Sequence, residues 1–313
     1  MLRISRYRFR FHAQDPIQLP PFPGSAIRGI FGHGLKRSVC VTRLKSCGEC
    51  LLRNHCVYSY LFETHLTLAK GDNAPQPLVL DVHQLQRRYE PGVEFSAEAT
   101  LVGHANRHLP YLIQAWQRAG QRGLGGENAR FELSRVDALD FQASQWQKLY
   151  PVDRNVRELP EPFDFRSSHD QTIPEQARID LLTPYRGKRK GRLVTPASFD
   201  IQGFTVSLIR RIANLQRLHD PDYPPCDVPK LIHATADLSL TDANLKWREW
   251  TRHSSRQHTQ MQMGGVVGGF SVSGEGLRQL WPGLQLGQWI QAGKNTLFGL
   301  GRYQIQPQGI ENE

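Results

Sequence analysis

The sequence predicts an α+β protein, and three observations carry that expectation. Arg6 to Phe11 alternates Arg-Tyr-Arg-Phe-Arg-Phe, the period of two of a strand with one apolar and one basic face. HLPYLIQAWQRAG, His108 to Gly120, places its apolar residues at helical spacing and stops on a glycine. The first half as a whole runs strand, helix, strand, strand, helix, strand, the order of a ferredoxin-like domain, and the second half reads as a repeat of it. The expected architecture is two tandem ferredoxin-like (RRM-like) domains, each an antiparallel sheet with helices packed on one face, spanning 1–150 and 175–313.

The first strand ends at Asp15-Pro16, and the turn-rich QLPPFPGS leads to a helix for which Ser25 is the candidate N-cap. At about 100° per residue, Ile27, Ile30, Phe31, Gly34 and Leu35 share one side of that helix; Arg28, Gly29, Gly32, His33, Lys36 and Arg37 share the other. Glycine in a helix interior costs about 1 kcal/mol relative to alanine, so either this helix is imperfect or a closely approaching backbone or ligand needs the missing side chains. Strands are expected around Pro77 to Val82, Val93 to Val102 and Ala129 to Val136. The proline-bearing stretch from Asp140 to Pro174 is the candidate domain boundary.

In the second half, ARIDLLTP reads as a new first strand and FDIQGFTVSLIRRIANLQRL as a new first helix. Further strands are expected around Lys230 to Leu240 and Gln257 to Phe270, then a helix near Glu275 to Gln291 and a last strand near Leu300 to Ile305. GLGGENARFEL, from Gly123, and FGLGRYQI, from Phe298, both set glycines ahead of a late strand of their half, a thin echo of duplication.

Composition narrows the function. In 313 residues, 39% are hydrophobic and 22% charged, which excludes the signature of disorder and gives enough apolar surface for two cores. The formal charge of +10, from 39 Lys plus Arg against 29 Asp plus Glu, favours an anionic partner, and the dominance of arginine suits phosphate. No apolar run reaches about 18 residues, so a membrane partner is not expected and the cytoplasm is the default location.

Three clusters bear chemistry. Cys40, Cys47, Cys50 and Cys56 form C-x6-C-x2-C-x5-C inside an insertion around residues 38–60; the sulfurs suit a structural zinc, an iron–sulfur cluster, or no ligand at all. YRGKRKGR groups Arg186, Lys188, Arg189, Lys190 and Arg192 in a loop that either contacts successive phosphates, with Tyr185 for stacking, or is a solvated surface. AGKNTLFGLGRY places Gly293, Gly299 and Gly301 around Lys294 like a phosphate cradle. It does not match the nucleotide loop, whose lysine follows its glycines, and no G-x-G-x-x-G lies between a strand and a helix, so ATP and nicotinamide readings lose force.

The chain resembles the CRISPR-associated repeat-RNA endoribonucleases called Cas6. The resemblance lies in GKNTLFGLGRY, in Ser255-Arg256-Gln257 with Met263-Gly264-Gly265 and Gly268, and in LTPYRGKRKGRL. PPFPGSAIRGIFGHGLKR and the cysteine segment ending in CVYSYLFE resemble a subset of the same proteins. The family implies tandem ferredoxin-like domains that bind the repeat of a CRISPR precursor RNA along a basic cleft between them. It also implies cleavage with no cofactor: a 2'-hydroxyl attacks the adjacent phosphate, leaving a 2',3'-cyclic phosphate.

A histidine on the first helix often serves in that family, and the matching residue is His33, with Lys36 or Arg28 to stabilise charge on phosphorus. RNA contact is expected from the basic loop, from Arg256, and from Lys294 and Arg302 beside the glycine loop Gly293 to Gly301, with His253 and His258 nearby. Tyr58 and Tyr60 earn no firm role. The alternative is a non-catalytic RNA-binding subunit of a CRISPR effector complex.

Overall fold

The computed structural model of the chain describes residues 1–64, 74–125, 127–151, 159–165, 173–254 and 259–308. Two compact units emerge: one comprises Leu2–Phe163 with Leu218–Pro221, the other Met1, Asp164–Arg217 and Asp222–Glu313.

The N-terminal unit runs β1 (Arg3–Ala13), α1 (Gly24–Val39), the short α2 (Val57–Leu61), β2 (Leu78–Asp81), β3 (Glu94–Val102), α3 (Leu109–Arg122), β4 (Phe131–Asp140) and β5 (Gln145–Pro151). Along its main path the antiparallel sheet is ordered β2-β3-β1-β4-β5, so the four strands common to a ferredoxin-like domain are extended past β4 by a further strand. That fifth strand lies where the sequence reads as a connection: a hairpin turn after Asp140 sends the chain back along β4.

The alternation of β1 works as expected on its apolar face. Tyr7, Phe9 and Phe11 are buried, and Trp116 of α3 lies 5.9 Å from Phe9, 5.1 Å from Phe11 and 4.9 Å from Phe31 of α1, closing the core. The basic face is neutralised within the sheet. Arg6 is fully buried and paired with Asp81 and Glu98, Arg8 pairs with Glu98, and Arg10 bonds Asp137 at 2.7 Å. The register sets Arg8 opposite Glu98 on one side and Asp137 on the other, so neighbouring strands neutralise this charge within the sheet.

Helix α1 starts one turn-step before its expected cap. Pro23 is helical at φ −79 and ψ −9 and its carbonyl accepts from Ile27 at 2.9 Å, which places Ser25 inside the helix. Helix α3 likewise runs past Gly120 to Arg122, with Gly123 as the cap.

The C-terminal unit repeats the plan with β6 (Gln176–Tyr185), α4 (Ile201–His219), α5 (Val228–Ala234), β7 (Ser239–Arg248), a hairpin of β8 (Thr251–Ser254) and β9 (Thr259–Gln262), β10 (Gly265–Ser273), α6 (Leu277–Ile290) and β11 (Tyr303–Gln308). Its sheet order is β7-β10-β6-β11, all antiparallel. Phe204 of α4 anchors the core, with Tyr185 at 5.1 Å, Tyr303 at 5.6 Å and Phe270 at 6.0 Å. The stretch Lys230 to Leu240, expected as a strand, is instead helical up to Asp237; Asp227 caps α5 through the Lys230 amide, and the strand begins at Ser239.

The glycine echo proves to be structural. In each unit the connection from the second long helix to the last common strand carries a left-handed glycine, Gly123 at φ 85 and Gly301 at φ 77. A Cβ would stand 2.0 Å from the Asn128 carbonyl oxygen at the first and 1.8 Å from that of Ala292 at the second.

Candidate nucleic-acid interface

Each unit holds part of the expected site. In the N-terminal unit the three interior glycines of α1, Gly29, Gly32 and Gly34, separate by function. A Cβ on Gly34 would lie 2.1 Å from the Ala115 carbonyl oxygen of α3, and one on Gly32 would lie 2.3 Å from the Phe62 ring. Gly32, expected on the polar arc, is therefore buried beneath Phe62, whereas Gly29 has nothing within 4 Å.

His33 is exposed on α1, as its place on the polar arc implies. Partial loss of solvent around the ring, followed by the charges of Arg122 and Lys36, holds its imidazole below the ordinary histidine value. The group is thus neutral near pH 7, a form able to accept a proton. Arg122 has no signal in local periodicity, because it reaches this place only through the packing of α1 on α3. Lys36 also faces the cysteine segment: its Nζ donates to the carbonyls of Leu44 at 3.1 Å and Lys45 at 3.4 Å and stands 5.6 Å from the Tyr58 ring centroid. Arg28 is turned to Phe62, its guanidinium 4.2 Å above the ring. Tyr58 is buried and donates to Glu63 at 3.1 Å, while Tyr60 packs against His108 and His219 with its hydroxyl pushed up to about 12 by burial.

In the C-terminal unit the basic loop folds as a two-residue hairpin, Lys188–Arg189 against Arg192–Leu193, with Lys190 and Gly191 both at positive φ. The tip presents Lys188, Arg189, Lys190 and Arg192 to solvent; Arg189 pairs with Asp200 at 2.8 Å. Two expectations fail here. Tyr185 is buried against Phe199 and Phe204 and offers no stacking face. Arg186 is half-buried and donates to the Gly264 carbonyl at 2.7 Å, with Glu249 acting on its charge.

The glycine loop is clamped to β6. The Lys294 amide donates to Arg186 O at 3.0 Å, the Gly301 amide to Pro184 O at 3.0 Å, and the Thr183 hydroxyl to Gly299 O at 2.8 Å. A Cβ on Gly293 would stand 2.8 Å from the Arg186 carbonyl, so Gly293 and Gly301 admit protein backbone where RNA backbone was expected. The Lys294 side chain is exposed. Arg302 is buried: it donates to the Gln288 and Tyr303 carbonyls and lies 5.2 Å from the Trp289 ring, which removes it from the expected phosphate contacts. Arg211 of α4 caps the same helix end through Ile290 O and Gln291 O. His253 lies on β8; Ser255, Arg256, Gln257 and His258 lie outside the described residues.

Strand β7 adds a candidate surface outside the three clusters named from the sequence. Lys246, Trp247 and Arg248 are exposed together on this strand at the border of the sheet, and the Trp247 indole donates to Glu249 at 2.9 Å. The interleaving of basic and aromatic residues in LKWREW was the available signal.

Residues 2–162 match the family model of the AF_1859_N N-terminal domain, and residues 179–303 that of CRISPR-associated endoribonuclease Cas6. An uncharacterized protein of Archaeoglobus fulgidus is 22% identical over 313 residues, covering 97% of this chain and 98% of its own length. Among solved structures, Thermus thermophilus Cas6 is similar at a TM-score of 0.56 and 14% identity, over 98% of this chain and 99% of its own. A Cas6 product complex aligns at 0.59 and 15%, over 98% and 100%. A partial Cas6-RT-Cas1–Cas2 complex aligns at 0.60 and 12%, over 100% of this chain and 47% of that one. These likenesses show the tandem ferredoxin-like fold.

Proposed function

The chain belongs to the Cas6-type family of CRISPR-associated proteins, and on that premise we propose that it cuts the repeat of a CRISPR precursor RNA without a metal ion, with His33 as general base. The observation that carries the reading is the position of His33: exposed on α1, with its imidazole held below the ordinary histidine value by partial loss of solvent and then by Arg122 and Lys36, which favours the proton-accepting form.

The neutral imidazole accepts the 2'-hydroxyl proton as O2' attacks the adjacent phosphorus. The bond from phosphorus to the 5' oxygen breaks, that oxygen takes a proton from solvent, and the His33 imidazolium returns its proton to solvent, leaving a 2',3'-cyclic phosphate and a 5'-hydroxyl. The Arg122 and Lys36 cations would oppose the negative charge that grows on the phosphorane. Lys188, Lys190, Arg192 and Lys294, all exposed, supply phosphate contacts that position the repeat. Association with other CRISPR proteins fits the Cas6-RT-Cas1–Cas2 neighbour, and among the described residues no helix is long and apolar enough to cross a membrane.

The test is cleavage of the cognate repeat in EDTA, beside a substrate carrying one 2'-deoxy at the scissile nucleotide. Cutting that persists in EDTA and stops with the deoxy substrate supports the reading. Tight binding with intact RNA identifies the chain as a non-catalytic RNA-binding subunit.

A further inference from the structure

The segment from Cys40 to Cys56 is inverted with respect to an ordinary fold. None of its residues is buried. Val41 is 77% exposed and Leu51 97%, so its apolar side chains point outward. The residues drawn partly inward are Cys40, Cys47, Cys50, Cys56 and Arg53. A loop of this length with no apolar core has nothing hydrophobic to offset the entropy of its ordering, and the usual solutions are a disulfide or a metal. All the cysteines are free thiols.

The four cysteines share one cavity without yet converging on a point. Cys40, Cys47, Cys50 and Cys56 line one cavity of about 380 Å³. Thr42 Oγ1 lies 3.9 Å from Cys40 Sγ and 3.5 Å from Cys50 Sγ, so one hydroxyl spans two of the thiols. The Cys50 amide donates to Cys47 O at 3.3 Å, closing the C-x2-C pair into a turn. Cys40 directly follows α1 and Cys56 directly precedes α2, so the outer two are anchored by helices and the inner two by the turn. Among the described residues no three ligand side chains already surround a common point, so binding has to draw the thiols together; a segment without a core can yield that far.

We propose that this segment is a closed, four-thiolate site for a zinc-class ion, structural in role. On binding, each thiol gives its proton to solvent and each thiolate donates a lone pair to the ion, with no change in oxidation state. The complex carries excess negative charge, and Lys36, whose ammonium is held by the carbonyls of Leu44 and Lys45 in the same segment, lies where it offsets that charge. Zinc is favoured over an iron–sulfur cluster because no residue from Cys40 to Cys56 is buried, which leaves the thiols open to solvent, and because a single ion needs only the four thiolates this segment supplies.

The experiment is elemental analysis of the full chain purified under reducing conditions without chelator. One zinc per chain is expected. Cys47→Ser and Cys50→Ser are expected to lose most of it, and Cys226→Ser to keep it. Since a ligand variant can misfold, the wild-type chain is also treated with a thiol-reactive mercurial while released zinc is followed with a colorimetric indicator. Release should track modification of four thiols, with protease cutting appearing within residues 40–56. Iron with acid-labile sulfide overturns the choice of ion. A chain without metal that binds no added zinc, or zinc retained in both ligand variants, overturns the site. Neither result depends on whether the protein cuts RNA.

Discussion

Gly34 of α1 lies directly beneath the carbonyl oxygen of Ala115 in α3, and a methyl group on Gly34 would stand 2.1 Å from it. This contact lets the two helices share one face of the sheet and brings Arg122 into the electrostatic neighbourhood of His33. Gly34→Ala is expected to destabilise the chain by about 3 kcal/mol through overpacking. Gly29→Ala, with open space around it, is expected to stabilise by up to about 1 kcal/mol through helix propensity. Urea midpoints of the two variants, moving in opposite directions, check this.

His33→Ala is expected to slow cleavage by about 10² to 10⁴-fold while leaving repeat affinity unchanged. Because the imidazole is held below its usual value and acts unprotonated, the rate should rise with pH along a limb centred below about 6.5. Arg122→Gln removes one of the cations responsible and should move that limb to higher pH. A single-turnover pH profile reads both effects; an unmoved limb removes Arg122 from the site.

Lys294 and Arg302, eight residues apart in one glycine-rich motif, should behave as opposites. Lys294→Ala is expected to weaken repeat binding and reduce its salt slope by about 1, with no change in melting temperature. Arg302→Ala removes the donor to Gln288 O and should cost about 1 to 3 kcal/mol of stability, with the salt slope of binding intact. Fluorescence anisotropy across a salt series, beside thermal melts, distinguishes them.

Arg6→Met leaves Asp81 and Glu98 facing one another without their shared cation. A loss of about 3 to 5 kcal/mol is expected, measured by denaturant unfolding of the intact chain.

Burial, then Arg107, pushes His108 down to about 4. The unfolded chain binds this proton first as pH falls, so the stability is complete above about 6.5 and is lost progressively toward 4, by no more than about 3 kcal/mol. Melting temperature should fall over this range, and less steeply in His108→Gln.

Much of the fold was legible because periodicity and glycine placement are local signals. The alternation of β1, the amphipathic α3 and the tandem strand and helix order could be read directly, as could the glycine echo that became Gly123 and Gly301. So could His33 as an exposed histidine and the four cysteines as a group. What spacing could not convey was what each charge or glycine meets across the fold. Arg6 read as part of a basic strand face and Arg302 as a phosphate contact, but a partner 75 residues away, or a helix end folded back onto the strand, takes up their charge inside the protein. Gly32 read as room for a closely approaching backbone or ligand and Gly293 as part of a phosphate cradle; the space is taken by the Phe62 ring and the Arg186 carbonyl. Local sequence determined the elements and the chemistry available; only tertiary packing decided which of those groups remain facing solvent, because the field and the space around a side chain are set by residues distant along the chain.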